Sequence, residues 1–165
     1  MRKLILGLVV VASLAAFSTS ARASPFTIWS ANGASFLPDS KSVANNRYST
    51  GLGTIAGGAQ VTVTLYAPVT MLPPNTGFTA LLVVNSGRTA PNVNTKAELV
   101  KMSRSTGAET IIATVTASSS TSVHTTSTSF SATFEPDNFF YYVRVTLKSG
   151  IVVSQLQVLY GVALQ

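Results

Sequence analysis

Five acidic side chains and one histidine are the carboxylates and the imidazole that this chain offers for acid–base or metal chemistry. Glu135 and Asp137 share a short turn with Asn138, where their oxygens could approach a hard cation such as calcium. Calcium takes six to eight oxygen ligands, so a solvated turn is the simpler expectation. Glycoside hydrolysis needs two carboxylates flanking one bond, and Glu98, Glu109, Glu135 and Asp137 are the residues that would have to supply them. His124 stands alone in the run Ser118 to Ser129, and a solvent-exposed role is expected for it.

The remaining reactive motifs are missing from the sequence. There is no cysteine, which removes a thiol nucleophile, a Cys-held iron–sulfur cluster and a Cys-based zinc site. A single histidine rules out a multi-histidine metal site within one chain. No Gly-x-Ser-x-Gly elbow, Gly-x-Gly-x-x-Gly turn or Walker loop occurs, and Gly51-Leu52-Gly53 and Gly57-Gly58 lack the residues that would bind a phosphate. The expectation is a non-catalytic structural or binding domain that uses no cofactor and no metal. A small glycoside-active enzyme is the competing class.

The best candidate recognition surface is the outward face of an aromatic strand. Tyr142 offers a ring and a hydroxyl there, and Arg144 a charge. On a neighbouring strand, Gln155 and Gln157 could add amide hydrogen bonds. Rings that pack on the apolar side of a sugar, with amides that select hydroxyls, suit a glycan or cell-envelope polymer.

The elements that would position these residues follow from period-two alternation. Val61, Val63 and Leu65 share one face, with Thr62, Thr64 and Tyr66 opposite, and Pro68, Pro73 and Pro74 close that strand. Phe78 to Val84 is a more uniformly apolar strand suited to the middle of a sheet. Glu98 to Ser103 and Thr110 to Ala117 form a hairpin about Ser105-Thr106-Gly107-Ala108. Ser118 to Ser129 reads as a long surface loop, followed by a strand over Ser129 to Phe134. In the clearest strand, Phe139 to Leu147, Tyr141, Val143, Val145 and Leu147 face one way and Tyr142, Arg144 and Thr146 the other. Leu156, Val158, Tyr160, Val162 and Leu164 recur at two-residue intervals in a final strand. Before all of these, Phe26-Thr27-Ile28-Trp29 favours a strand, and residues 30–59 read as irregular, with Trp29, Phe36, Leu37 and Tyr48 pinning them to a sheet.

About eight strands with almost no helix predict an all-β antiparallel β-sandwich of jelly-roll or Greek-key topology. A closed eight-stranded barrel is the main alternative. An outer-membrane barrel is disfavoured by the absence of eight similar spanning strands and of paired aromatic girdles. Exposed sheet edges, or Leu159 and Met102, could support a homo-oligomer as readily as the chain could stay monomeric.

The chain opens as a secretory signal peptide: Arg2 and Lys3, an apolar run from Leu4 to Phe17, then Ala21-Arg22-Ala23. The apolar run is short of the roughly 20 residues that span a bilayer. Cleavage after residue 23 would leave Ser24–Gln165 as one exported domain, periplasmic or extracellular, with no stable membrane insertion. Losing Arg2, Lys3 and Arg22 removes 3 of 11 basic residues and none of the 5 acidic ones, lowering the formal charge from +6 to +3. The remaining basic residues are dispersed, so no nucleic-acid partner is expected.

The stretches Leu65-Tyr66-Ala67-Pro68-Val69, Phe140-Tyr141-Tyr142-Val143-Arg144-Val145 and Leu159-Tyr160-Gly161-Val162 resemble recurring pieces of exported bacterial β-sandwich proteins, over roughly Gly58 to Leu164. Where that family suggests Leu-Pro-polar-Gly, this chain has Leu72-Pro73-Pro74-Asn75-Thr76-Gly77. The resemblance implies a fold and an exported location, and no established activity.

Overall fold

The computed structural model describes residues 27–44, 48–51, 54–70 and 72–165. The predicted signal peptide and its cleavage point lie outside the described residues. Eleven strands follow in chain order among the described residues. They are β1 Trp29–Asn32, β2 Leu37–Pro38, β3 Tyr48–Gly51, β4 Thr54–Gly57, β5 Thr62–Pro68 and β6 Gly77–Gly87. The remainder are β7 Asn94–Ser103, β8 Glu109–Thr116, β9 Ser120–Thr133, β10 Phe139–Lys148 and β11 Val158–Leu164. A five-residue helix, α1 Ser40–Ala44, is capped by the Asp39 carboxylate, which accepts from the Ser42 amide at 2.6 Å.

Two antiparallel sheets face each other. Sheet I runs β3-β4-β11-β6-β9, with β1 also paired to β11, and sheet II runs β2-β5-β10-β7-β8. From β4 onward the pairing is nested: β4 with β11, β5 with β10, β6 with β9 and β7 with β8. That nesting is what a single long hairpin gives when it is rolled up into two layers, and it is the jelly roll. The sheets are not closed into a barrel, because β8 and β9 share no ladder.

The inward faces of both sheets build one core. In sheet II, Val63, Leu65 and Ala67 of β5 and Val143, Val145 and Leu147 of β10 are buried, in the alternation expected from sequence. In sheet I, Ile55, Leu81, Val83, Leu159, Val162 and Leu164 oppose them.

Three expectations are corrected. The Ser/Thr run is not a long loop: β9 begins at Ser120 and pairs with β6 from Thr133 to Ser120. Threonine favours extended backbone, and the long neighbour β6 supplies a ladder that composition alone does not reveal. The final strand does not keep one parity, because a register shift between Leu159 and Gly161 leaves Leu159 buried with Val162 and Leu164, while Val158 and Tyr160 turn away. An extra residue at a bulge flips every side chain before it. Leu159 is therefore core, not an exposed contact for a second copy. At the bulge, a Cβ on Gly161 would lie 2.9 Å from the Ala31 carbonyl oxygen, so only glycine lets β1 approach. Finally, residues 30–59 hold α1 and short strands rather than wholly irregular chain.

Candidate functional site

The outer face of sheet II carries Tyr142 and Arg144, as alternation requires, but both are already engaged. Register aligns Tyr66, Arg144 and Glu98 across β5, β10 and β7. Arg144 Nε donates to Glu98 at 2.8 Å and its Nη1 to Glu109 at 3.2 Å, while Lys96 Nζ lies 2.7 Å from Glu98. The Glu98 side chain is only 6% exposed. Burial would raise its pKa, but hydrogen bonds from Lys96 and Arg144 outweigh burial and hold the carboxyl below its usual range. The charge of Arg144 is thus spent within the sheet.

The ring of Tyr142 packs on Tyr66 at 5.9 Å between centroids. Its hydroxyl is shut off from solvent without a well-formed hydrogen bond. Burial first, then the Glu109 carboxylate, push that phenol far above its ordinary pKa. Tyr142 therefore presents ring and not hydroxyl to the surface, which corrects half of what alternation suggested.

Gln155 and Gln157 do not join this face. They precede β11, which belongs to sheet I, at the opposite end of the sandwich. Gln157 is 0% exposed. Its Oε1 accepts from Thr95 Oγ1 at 3.0 Å and its Nε2 donates to the carbonyls of Arg88 at 3.1 Å and Gln155 at 3.3 Å. Its backbone N–H donates to Ser149 Oγ at 3.0 Å. Such an amide ties loops together and has nothing left for a ligand. The expected grouping with Tyr142 assumed that consecutive strands are neighbours, whereas β10 and β11 belong to different sheets.

An apolar concavity lies at the other end, where β10 begins. There a cleft of about 490 Å³ is lined by Pro68, Leu72, Pro136, Phe139, Phe140 and Tyr142, among others. Local chemistry builds it. The chain leaving β5 turns at Pro73, whose carbonyl accepts from the Thr76 hydroxyl at 2.7 Å, and Asn75 takes a positive φ of 63°. Phe134 clasps that turn with backbone hydrogen bonds of 2.8 Å to Asn75 and Thr76. Below, Tyr141 packs against Phe134 at 4.9 Å and Phe78 at 6.0 Å, and its hydroxyl donates to the Thr133 carbonyl and accepts from the Glu135 amide, both at 3.2 Å.

Phe140 is 47% exposed, and the Arg104 guanidinium stacks over its ring at 3.9 Å. Arg104 and Phe139 also line a second hollow of about 500 Å³ with Ser103, Ser105, Asp137 and Asn138. An apolar trough and a polar one thus share a cationic ridge. Sequence reasoning missed Phe140 and Arg104. Phe140 has the same parity as Tyr142 and could have been found by it, whereas Arg104 reaches the cleft from the β7–β8 turn, which alternation does not describe.

His124 is not simply exposed. Its ring nitrogens lie 3.1 Å from the Ser122 carbonyl and 2.7 Å from that of Ser118, holding the start of β9. Among the described residues, no three of His, Asp and Glu come together as a metal would need.

No family model matches the sequence, and none of the curated proteins matches it. Solved structures resemble it distantly. One, described as "CBM4 structure and function", has a TM-score of 0.42 and 11% identity, covering 72% of this chain and 88% of that one. Another, the isomalto-dextranase of Arthrobacter globiformis T6 complexed with panose, has a TM-score of 0.39 and 9% identity. The match covers 67% of this chain and only 18% of the dextranase. At these TM-scores the jelly-roll assignment rests on the strand order itself.

Proposed function

We propose that this chain is an exported, non-catalytic binding domain whose ligand site is the aromatic cleft at the start of β10, and that the ligand is a glycan or cell-envelope polymer. One observation carries the reading: exposed Phe140 and the ring of Tyr142 line an apolar trough that adjoins a polar hollow through Arg104. A pyranose has one apolar face and a rim of hydroxyls, and that pairing of surfaces complements it. The carboxylates support a non-catalytic role. Glu98 and Glu109 share Arg144, and Glu98 is held ionised, whereas a glycosidase needs one carboxyl with a raised pKa to donate a proton.

Affinity electrophoresis through soluble polysaccharides, with purified peptidoglycan pull-down alongside, tests the site. Phe140→Ala and Arg104→Ala are expected to abolish retardation while leaving the melting temperature within a few degrees. Retardation unchanged in both would remove the cleft as the ligand site. Turnover of any of these polymers by the purified chain, lost in a Glu135→Gln or Asp137→Asn variant, would overturn the non-catalytic reading. Mass spectrometry of chain recovered from an export-competent host should find Ser24 at the N-terminus.

A further inference from the structure

The connection from β10 to β11 carries three consecutive aliphatic residues, Ile151, Val152 and Val153, which expose 69%, 57% and 81% of their surface. Single exposed aliphatics are ordinary, but three together at a loop tip form a patch that asks for a partner. The tip is held in place. The Gly150 amide donates to the Gln155 carbonyl at 3.1 Å, the Gln155 amide to Val152 at 2.8 Å, and the Arg88 amide to Ser154 at 2.7 Å. The buried Gln157 amide grips the same loop from below. A Cβ on Gly150 would collide with the Gln155 side chain, so the loop closes tightly at its base. Hydrogen bonds therefore fix these side chains in water instead of letting them fold inward.

The charged side chains beside the tip are basic. Arg88 is exposed and Lys148 half-buried beside the loop, and neither has an ion pair among the described residues. Of the connections at this end, residues 58–61, 88–93, 117–119 and 149–157 contain no Asp or Glu, and the one acidic residue of the β2–β3 connection, Asp39, is engaged in capping α1. We propose that this end of the sandwich docks on an anionic phospholipid surface, with Ile151, Val152 and Val153 entering the interface and Arg88 and Lys148 meeting phosphates. Charge complementarity and shape select this occupant. A stable protein interface covers about 800 Å² on each side, far more than a three-residue convex tip supplies, whereas a bilayer yields to any convex shape. A short apolar anchor with two cations gives reversible peripheral binding, not a membrane span. The proposal does not depend on the aromatic cleft, which lies at the other end.

The absence of cysteine makes the test direct. Val152→Cys, labelled with an environment-sensitive dye, reports the tip, and Thr106→Cys in the β7–β8 turn reports the far end. Both variants share residues 1–26, so any membrane affinity of the Leu4 to Phe17 run is common to them. The expected result is a blue shift at the tip, and not at Thr106→Cys, with phosphatidylcholine vesicles containing phosphatidylglycerol. Adding Ile151→Asp and Val153→Asp should weaken that response by about tenfold or more with unchanged circular dichroism. Arg88→Glu with Lys148→Glu should erase the preference for anionic vesicles. No shift at the tip, an equal shift at the far end, or an equal response to pure phosphatidylcholine would overturn the proposal. A shift that rises with protein concentration without vesicles would assign the tip to a second copy and overturn it as well.

Discussion

The two ends of this sandwich are closed by opposite kinds of interaction. At one, Phe78, Phe134, Tyr141 and Phe139 stack ring against ring. At the other, Gln157 gathers Thr95, Arg88, Gln155 and Ser149 into a buried hydrogen-bond network. The apolar burial that drives ring packing is non-directional, so the aromatic end can leave Phe140 outside and keep a cleft beside it. Hydrogen bonds demand geometry, and the amide end uses that demand to hold a loop rigid. A response graded with side-chain size is therefore expected at the first end and a partner-dependent one, indifferent to size, at the second.

The largest effect should come from emptying the aromatic end. Phe78 is 1% exposed, and Phe78→Ala is expected to cost about 3–5 kcal/mol in urea unfolding, while Phe78→Leu should recover most of it. Gln157→Leu keeps volume yet strands the Thr95 hydroxyl and two carbonyls, for about 2–3 kcal/mol; recovery by any apolar residue would break the comparison. Glu98, between the two ends, gives a pH signature. Its folded pKa lies below the 4.5 of the free side chain, so its contribution is full above about pH 4.5 and is lost as pH falls through the folded value. The stability gap between the native chain and Glu98→Gln, about 1–2 kcal/mol at neutral pH, should close in acid. Asn85 sharpens the contrast from the other side: it is buried at the amide end with both side-chain polar atoms unpartnered. Asn85→Leu should leave the unfolding free energy unchanged or raise it by up to about 1 kcal/mol.

Alternation was enough to find β5 and β10, because each packs one face on the core and leaves the other wet. It failed where a neighbour decides. The first part of β9, up to Ser129, reads as a loop because serine and threonine fill it, and only β6 beside it makes it a strand. The bulge in β11 is invisible in a sequence whose apolar residues occur on both parities. For the site, Tyr142 was legible from its strand position. The loss of its hydroxyl to burial, the capture of Arg144 by Glu98 and the removal of Gln157 into the interior all depend on strand order, which one sequence does not encode locally.

The nested pairing also sets an order in time. β11 lies in the middle of sheet I, between β6 on one side and β4 and β1 on the other. Until the ribosome has released it, Ile55 and Leu81 have no strand between them, and the earlier strands can collapse but cannot close. Contacts of such long sequence separation form late and slowly. A chain of this topology cannot complete sheet I until β11 has been made.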